Sequence, residues 1–548
     1  MKKRTLLLLS LLSGLLLWLS WYPVGLTFLI FVAWVPLFVI SDELIKRGAK
    51  FSFGQGLLFS FPAFVVWNAA TTWWIWHSTP EGSIAAMILN SLFMSLVFAT
   101  WHFFNKQKMP KLVVPIMFIA FWCSWEYLHL HWDISWPWLN LGNVFAPCTQ
   151  IVQWYEYTGA FGGTIWVLAL NFLFYYFIKA FKNNRKKAYT NLFAFMLTLT
   201  IPLVISLIIY HTYTPSDKNP VEAVIVQQNT DPWEEQYEMS NLDHVNRILS
   251  VASPLVDEKT DLIVCSESAI PNSVNSETVL SNEFPPEHHG YMGFEMLDTF
   301  MQQHPNLNMI TGISSYSLFD MKVRATAREV GENLFIEFYN TSACINRNGI
   351  TELYYKSMLV PGVELMPYPA VFGFLEKMVI DLGGTSGSLG KDTSQRAFRT
   401  TIQNNSIKIG APICYESIYG ELFTHFIKDG AQLMTVITND SWWKNSPGHK
   451  QHFVVSKLRA VETRRTIMRA ANTGISAFID EKGDEHQRTN YQERLAIKQI
   501  VYPNDYLTFY VKHGDYLARF AMAIAALLFL SGIYFWIRKG DGNTDFAN

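Results

Sequence analysis

Disulfide logic is what this chain lacks first. Its 548 residues hold five cysteines, an odd number, and no two of them stand in a Cys-x-x-Cys or zinc-finger spacing. That pattern speaks against a disulfide framework, and a free thiol must remain even if the others pair. An excess of charge of one sign is lacking too: 43 Lys and Arg stand against 45 Asp and Glu, so nothing marks a polyanionic partner. Positive charge is also missing locally, since residues 78–82 and 131–159 contain neither Lys nor Arg. Finally, no Ala-x-Ala site follows the apolar run behind Lys2, Lys3 and Arg4, so that run reads as a retained membrane helix rather than a cleaved signal peptide.

What is present in excess is apolar residues, 50% of the chain, and they fall in long blocks before about residue 212 and after about 515. After the first run, blocks near 24–40, 53–77, 83–105, 112–130, 160–180, 190–211 and 516–537 are close to the length that a bilayer crossing needs. About eight spans are therefore expected. Positive charges precede the first (Lys2, Lys3, Arg4) and follow the second (Lys46, Arg47, Lys50), fourth (Lys106, Lys108, Lys111), sixth (Lys179, Lys182, Arg185, Lys186, Lys187) and eighth (Arg538, Lys539). Positive residues stay in the cytoplasm, so both termini are expected there, with the globular stretch on the outer face. The expected organisation is a membrane bundle over 1–211, an outer domain over 212–514, a final span over 515–537 and a tail over 538–548.

Two membrane features stand out. Segment 131–159, rich in Trp and Tyr, suits either an interfacial aromatic belt or a surface loop that admits an amphiphile. Glu126 is costly at a lipid-facing position and is expected inside the bundle, with His129 as a partner one turn on.

The outer stretch alternates short β-branched runs with helical patterns near 234–251, 290–304, 417–429 and 449–463, which predicts a layered α/β domain. In such folds functional groups gather at the carboxyl ends of strands. Glu267 ends DLIVCSES, Lys356 ends TELYYK and Cys414 ends IKIGAPIC. A base, a cation and a nucleophile are what attack on a carbonyl requires. Cys414 is expected at a strand-to-helix turn whose N–H groups favour the thiolate, whereas Cys265 and Cys344 read as core residues. His449 and His452 could share a helix face toward a metal, but without further clustered ligands they read as hydrogen-bonding groups at a helix start. No metal or organic cofactor is implied. The apolar run LMPYPAVFGFLEK after Glu364, which includes Phe372 and Phe374, reads either as core or as a membrane-facing lid over the site.

The segments SESAIP around Glu267, YYKSMLVPGVELMP around Lys356, GAPICYES around Cys414 and TNDSWW from Thr438 resemble the nitrilase superfamily and its Glu-Lys-Cys triad. Insertion of such a domain before a last membrane span, together with WPWLNLGN at 136–143 and the stretch 451–480, is similar to the apolipoprotein N-acyltransferase family. The resemblance implies a polytopic helical bundle joined to a nitrilase-like αββα sandwich in the inner membrane of a bacterium. It also implies acyl transfer from a glycerophospholipid, usually phosphatidylethanolamine, through a cysteine thioester to the N-terminal amine of a diacylglyceryl lipoprotein. By matched position Glu267 is the base, Lys356 stabilises the oxyanion with a backbone N–H near Tyr415, and Glu364 orients Lys356 or shares base duty. Tyr415 and Glu416 match the residues after the family nucleophile, and Glu416 suits helix capping equally well. Asn439 and Trp442 match walls of the site, and Trp233 corresponds to an upstream family tryptophan. The family's usual Trp-Pro before the base is Cys265-Ser266 here.

Two other readings fit parts of the chain. A membrane-tethered amidase would deliver water to the same thioester, leaving the spans without a task. A transporter or receptor would show ionisable or broken helices at midmembrane depth, of which Glu126 is a lone example.

Overall fold

A computed structural model describes residues 1–48, 52–107, 110, 112–285, 289–368 and 388–541. Lys50, Lys108 and Lys111 of the charge pattern and the part of the lid segment from 369 to 377, with Phe372 and Phe374, lie outside the described residues. The chain divides into two compact units: Met1–Trp76 with Pro80–His211 and Asp515–Asn548, and His77–Thr79 with Thr212–Gly514.

The first unit is helical. Among the described residues six helical segments are long and apolar enough to cross a membrane: Lys3–Ser20, Thr27–Lys46, Pro80–Asn105, Tyr155–Phe181, Arg185–Thr212 and Tyr516–Ile537. Two more helices, Ser52–Thr72 and Val113–His129, stand where the remaining spans are expected. The first is diluted by Gly54, Gln55, Gly56 and Asn68, and the second is only 17 residues long. Arg185–Thr212 turns Phe193, Ile201, Val204 and Ile208 outward, an arrangement stable only in an apolar solvent. This is a membrane protein. The interior is aromatic: Trp34 meets Trp122 edge-on at 4.5 Å, and Phe38 stacks on Phe172 at 4.1 Å.

Glu126 is buried as expected, but His129 is not its partner. Its carboxylate accepts from Trp122 Nε1 (2.9 Å), Leu141 N (2.7 Å) and Thr164 Oγ1 (2.7 Å). His129 instead accepts from Trp132 Nε1 at 2.8 Å and stacks on Trp125. The acceptor capacity of Glu126 therefore binds the segment after it to the bundle. That segment folds into 3₁₀ turns, Pro137–Leu139 and Leu141–Ile151, with Trp138, Leu141, Val144 and Phe145 buried. Gly142 lies so close to the helix at Tyr155–Phe181 that a Cβ there would stand 1.9 Å from the Ala160 carbonyl oxygen. The centre of the 131–159 segment is thus part of the packed unit.

The described residues of the second unit form two sheets. The strands in chain order are β1 (Val221–Gln227), β2 (Leu262–Val264), β3 (Ile270–Asn275), β4 (Asn308–Phe319), β5 (Arg328–Gly331), β6 (Leu334–Asn346), β7 (Gly349–Tyr355), β8 (Phe398–Ile402), β9 (Asn405–Gly410), β10 (Leu433–Thr438), β11 (Ile467–Ala471), β12 (Ala477–Ile479), β13 (Glu485–His486) and β14 (Leu495–Val501). One sheet runs β14-β1-β2-β4-β6-β5, with β3 beside β4 and β7 beside β6; the other runs β13-β12-β11-β10-β9-β8. They pack face to face through β1 and β11. Asn241–Ala252 and Met292–Gln303 cover the first sheet over a core that includes Val224, Ile263, Phe294 and Leu297. Gly420–Lys428 and Pro447–Thr463 belong to the second half. The result is the nitrilase-like αββα sandwich. Two helix starts differ from expectation. Residues 232–238 form turns because Asp231 Oδ1 captures the Trp233 and Glu234 N–H groups, and the helix begins only at the Ser240/Asp243 capping box. The segment from Cys414 to Ile418 is a 3₁₀ turn, and the α-helix follows at Gly420.

Candidate active site

Three strand ends converge. Glu267 lies three residues beyond β2, Lys356 directly after β7 and Cys414 four residues beyond β9; all three are buried. The Lys356 ammonium donates to Glu267 Oε1 at 3.1 Å and to Glu364 Oε1 at 2.9 Å. Glu364 holds its own loop through the Val360 N–H at 2.9 Å. Asn439 closes the other side of the base, its backbone N–H donating to Glu267 Oε2 at 2.8 Å. Sequence reasoning missed Asn340, which donates to both carboxylates from the middle of β6. No turn or motif signal marks a polar residue within a strand.

Charge favours an ammonium here. Burial alone would discharge Lys356, but the two carboxylates and the nearby Cys414 hold it well above its ordinary value. Cys414 goes the other way from the expectation of a thiolate. Burial first, then the Glu267 charge, push its thiol well above its ordinary value, and Lys356 with the Thr438 hydroxyl offsets only part of this. A short 3₁₀ turn provides too little dipole to reverse full burial. The resting Cys414 is a thiol, and of the two carboxylates that raise it Glu267 acts more strongly than Asp440.

Cys414 itself has φ +50°, the left-handed region that a Cβ disfavours. Surrounding bonds hold it there. Glu416, fully buried, accepts from the Ile413 N–H through Oε2 (2.7 Å) and from Tyr354 OH, Ser357 N and Ser357 Oγ through Oε1 (2.6, 2.7 and 2.6 Å). It therefore ties the Cys414 turn to the loop carrying Lys356, which gives it more to do than cap a helix. Tyr415 is buried edge-on to Tyr419. Behind the turn, His452 bonds Asp440 at 2.8 Å and faces the Cys414 carbonyl, so it does not serve the helix start. His449 packs against Tyr491. Among the described residues no group of three or more His, Cys, Asp or Glu could hold a metal. Trp233 and Trp442 meet edge-on at 4.9 Å, with Trp233 53% exposed.

Comparison with known proteins places both units. Residues 13–173 match the apolipoprotein N-acyltransferase N-terminal domain and residues 223–501 match the carbon-nitrogen hydrolase family. Apolipoprotein N-acyltransferase of Chlorobaculum tepidum is 28% identical over 533 residues, covering 95% of each chain. That of Geobacter metallireducens is 24% identical over 533 residues, 95% of this chain and 94% of its own. The crystal structure of Saccharomyces cerevisiae Nit3, a member of branch 10 of the nitrilase superfamily, covers 52% of this chain and 92% of its own at 15% identity and a TM-score of 0.36. The chain belongs to the carbon-nitrogen hydrolase family, and within it to the branch that carries the apolipoprotein N-acyltransferase N-terminal domain.

Proposed function

We propose that this enzyme transfers an acyl chain from a glycerophospholipid, with phosphatidylethanolamine the expected donor, to the N-terminal amine of a diacylglyceryl-cysteine lipoprotein. The observation that carries it is the buried set Glu267, Lys356 and Cys414 in a carbon-nitrogen hydrolase domain whose chain also holds the apolipoprotein N-acyltransferase N-terminal domain.

Glu267 takes the Cys414 proton as Sγ attacks the ester carbonyl of the donor. The negative charge on the carbonyl oxygen is met by the Lys356 ammonium and by the backbone N–H of Tyr415. Collapse breaks the carbon–oxygen bond, and Glu267 returns the proton to the departing lysophospholipid. The Cys414 thioester is then attacked by the lipoprotein amine, whose proton goes to Glu267; the amide forms and the Cys414 thiol is regenerated. Glu364 and Asn439 orient the pair, Glu416 and Tyr415 hold the nucleophile turn, and Trp233 and Trp442 wall the entrance. A buried site keeps water from the thioester until the second lipid arrives. The positive-charge pattern supports an inner-membrane protein with cytoplasmic termini and the domain at 212–514 on the periplasmic face.

Intact-protein mass spectrometry after incubation with phosphatidylethanolamine tests this. A hydroxylamine-sensitive acyl mass is expected on the wild type and not on Cys414→Ala. Donor consumed to free fatty acid, with no amide on an added diacylglyceryl peptide, would establish a hydrolase instead.

A further inference from the structure

Asn472, one residue beyond β11, is buried and bonds through every polar atom it has. Its main-chain N–H donates to Thr438 O at 3.0 Å, and its carbonyl accepts from Asn229 N at 2.9 Å. Its side-chain Oδ1 accepts from Thr230 N at 2.9 Å, while Nδ2 donates to Thr230 O at 2.7 Å and to Asn439 Oδ1 at 3.1 Å. A main-chain N–H only donates and a carbonyl only accepts, so the pairing with Thr230 fixes which end of the amide is which. The second Nδ2 hydrogen is thereby committed to Asn439.

Asn439 is the residue whose N–H donates to Glu267 Oε2 at 2.8 Å. That N–H belongs to the planar peptide unit whose other end is Thr438 O, the acceptor of the Asn472 N–H. β10 ends at Thr438, and the chain turns into the 3₁₀ segment Asp440–Trp443 directly after Asn439. The strand ladder therefore secures the carbonyl end of the unit and stops there. Beyond it Asn439 is held through its side chain: Oδ1 accepts from Asn472 Nδ2 and from Ser441 N at 3.3 Å, and Nδ2 donates to Gln236 Oε1 at 3.0 Å. Asn472 thus ties Asn439 to the main chain of the loop after β1.

We infer that Asn472 is a positioning residue for the base: its side-chain amide, locked on the Thr230 main chain, fixes Asn439 so that the Asn439 N–H stays on Glu267 Oε2. The inference rests on the acyl-transfer reading above, in which Glu267 takes the Cys414 proton. Lys356 and Asn340 hold only the other oxygen, Oε1, so without the Asn439 N–H the carboxylate is free to swing about that end. Misplacement of a reacting group by a fraction of an ångström slows the chemical step without closing the site.

Two rates, read as intact masses of the full chain in detergent, test this. Acylation of Cys414 by phosphatidylethanolamine needs the base, whereas alkylation by iodoacetamide at pH 9 uses thiolate that the solvent has already produced. Asn472→Ala is expected to acylate about tenfold or more slowly, with alkylation within about threefold of wild type. Asn439→Ala keeps its own N–H but loses the amide that Asn472 holds, and the same split is expected of it. The double variant shows whether the two residues act on one path: it is expected to acylate within about threefold of the slower single variant, whereas independent losses multiply. Should Asn472→Ala fail to fold, Asn472→Asp keeps the volume and the acceptor for the Thr230 N–H while removing both Nδ2 bonds, and is expected to give the same split. Acylation of the Asn472 variant at the wild-type rate, equal loss of acylation and alkylation, or multiplied losses in the double variant overturns the role of Asn472. A wild type that alkylates but forms no acyl adduct overturns the acyl-transfer reading, and the role with it.

Discussion

Asn340 Nδ2 stands 2.7 Å from Glu267 Oε1 and 3.0 Å from Glu364 Oε1, the same two oxygens that Lys356 Nζ meets at 3.1 and 2.9 Å. A neutral donor and a cation thus close a four-cornered ring around two carboxylates. The ring keeps both carboxylates satisfied without adding a second cation that would compete with Lys356 for an oxyanion.

Asn340→Asp replaces the neutral corner with a third carboxylate in a buried site, where like charges are costly. Acylation is expected to fall at least about 100-fold, and Asn340→Ala, which deletes one donor from each carboxylate, to lose roughly 1.5–3 kcal/mol of stability per lost bond. Thermal unfolding in detergent and the acyl-adduct rate check both.

Burial first, and then the Glu267 charge, hold the Cys414 thiol well above its ordinary value. The resting side chain near neutrality is therefore the thiol. Iodoacetamide alkylation of the resting enzyme is expected to rise about tenfold per pH unit from 7 to 9 without a plateau. The sign for stability follows: the native state prefers the neutral thiol, so its contribution is complete below the ordinary thiol value and is lost as pH rises through the raised one. A plateau near neutrality would reveal a preformed thiolate.

Glu416→Gln places an N–H₂ group where donors already point, because Oε1 takes Tyr354, Ser357 N and Ser357 Oγ, and Oε2 takes the Ile413 N–H. A loss of about 2–4 kcal/mol in unfolding free energy is expected, together with loss of acylation, since the Cys414 and Lys356 loops would separate. Denaturant unfolding measures the first and the adduct rate the second.

Gly142→Ala tests the packing of the aromatic segment in the membrane unit. With Ala160 O at 1.9 Å from the added carbon and rigid backbone on both sides, the contact cannot relax cheaply. Overpacking of this kind costs about 1–3 kcal/mol, so a lower thermal aggregation temperature in detergent is expected. Gly54→Ala, where a Cβ meets nothing within 4 Å, is the matched control.

The sequence by itself determined the apolar helices and named the candidate reacting groups. Membrane helices are local: about twenty apolar residues announce themselves in any context. Glu267, Lys356 and Cys414 were legible because strand ends in a layered α/β domain collect function, and because their motifs resemble a known family. Tertiary structure alone decided the second layer of the site. Asn340 lies inside β6 and carries no local signal, and although His452 and the TNDSWW segment with Asp440 stood out in the sequence, only the fold brings the two side chains together. Glu126 found its partners in Trp122, Leu141 and Thr164 rather than in His129, because which donors reach a buried carboxylate depends on helix packing and not on spacing. The protonation of Cys414 was decided in the same way. A strand-to-helix turn favours the thiolate locally, but full burial beside Glu267 outweighs it, and solvation is a property of the whole fold.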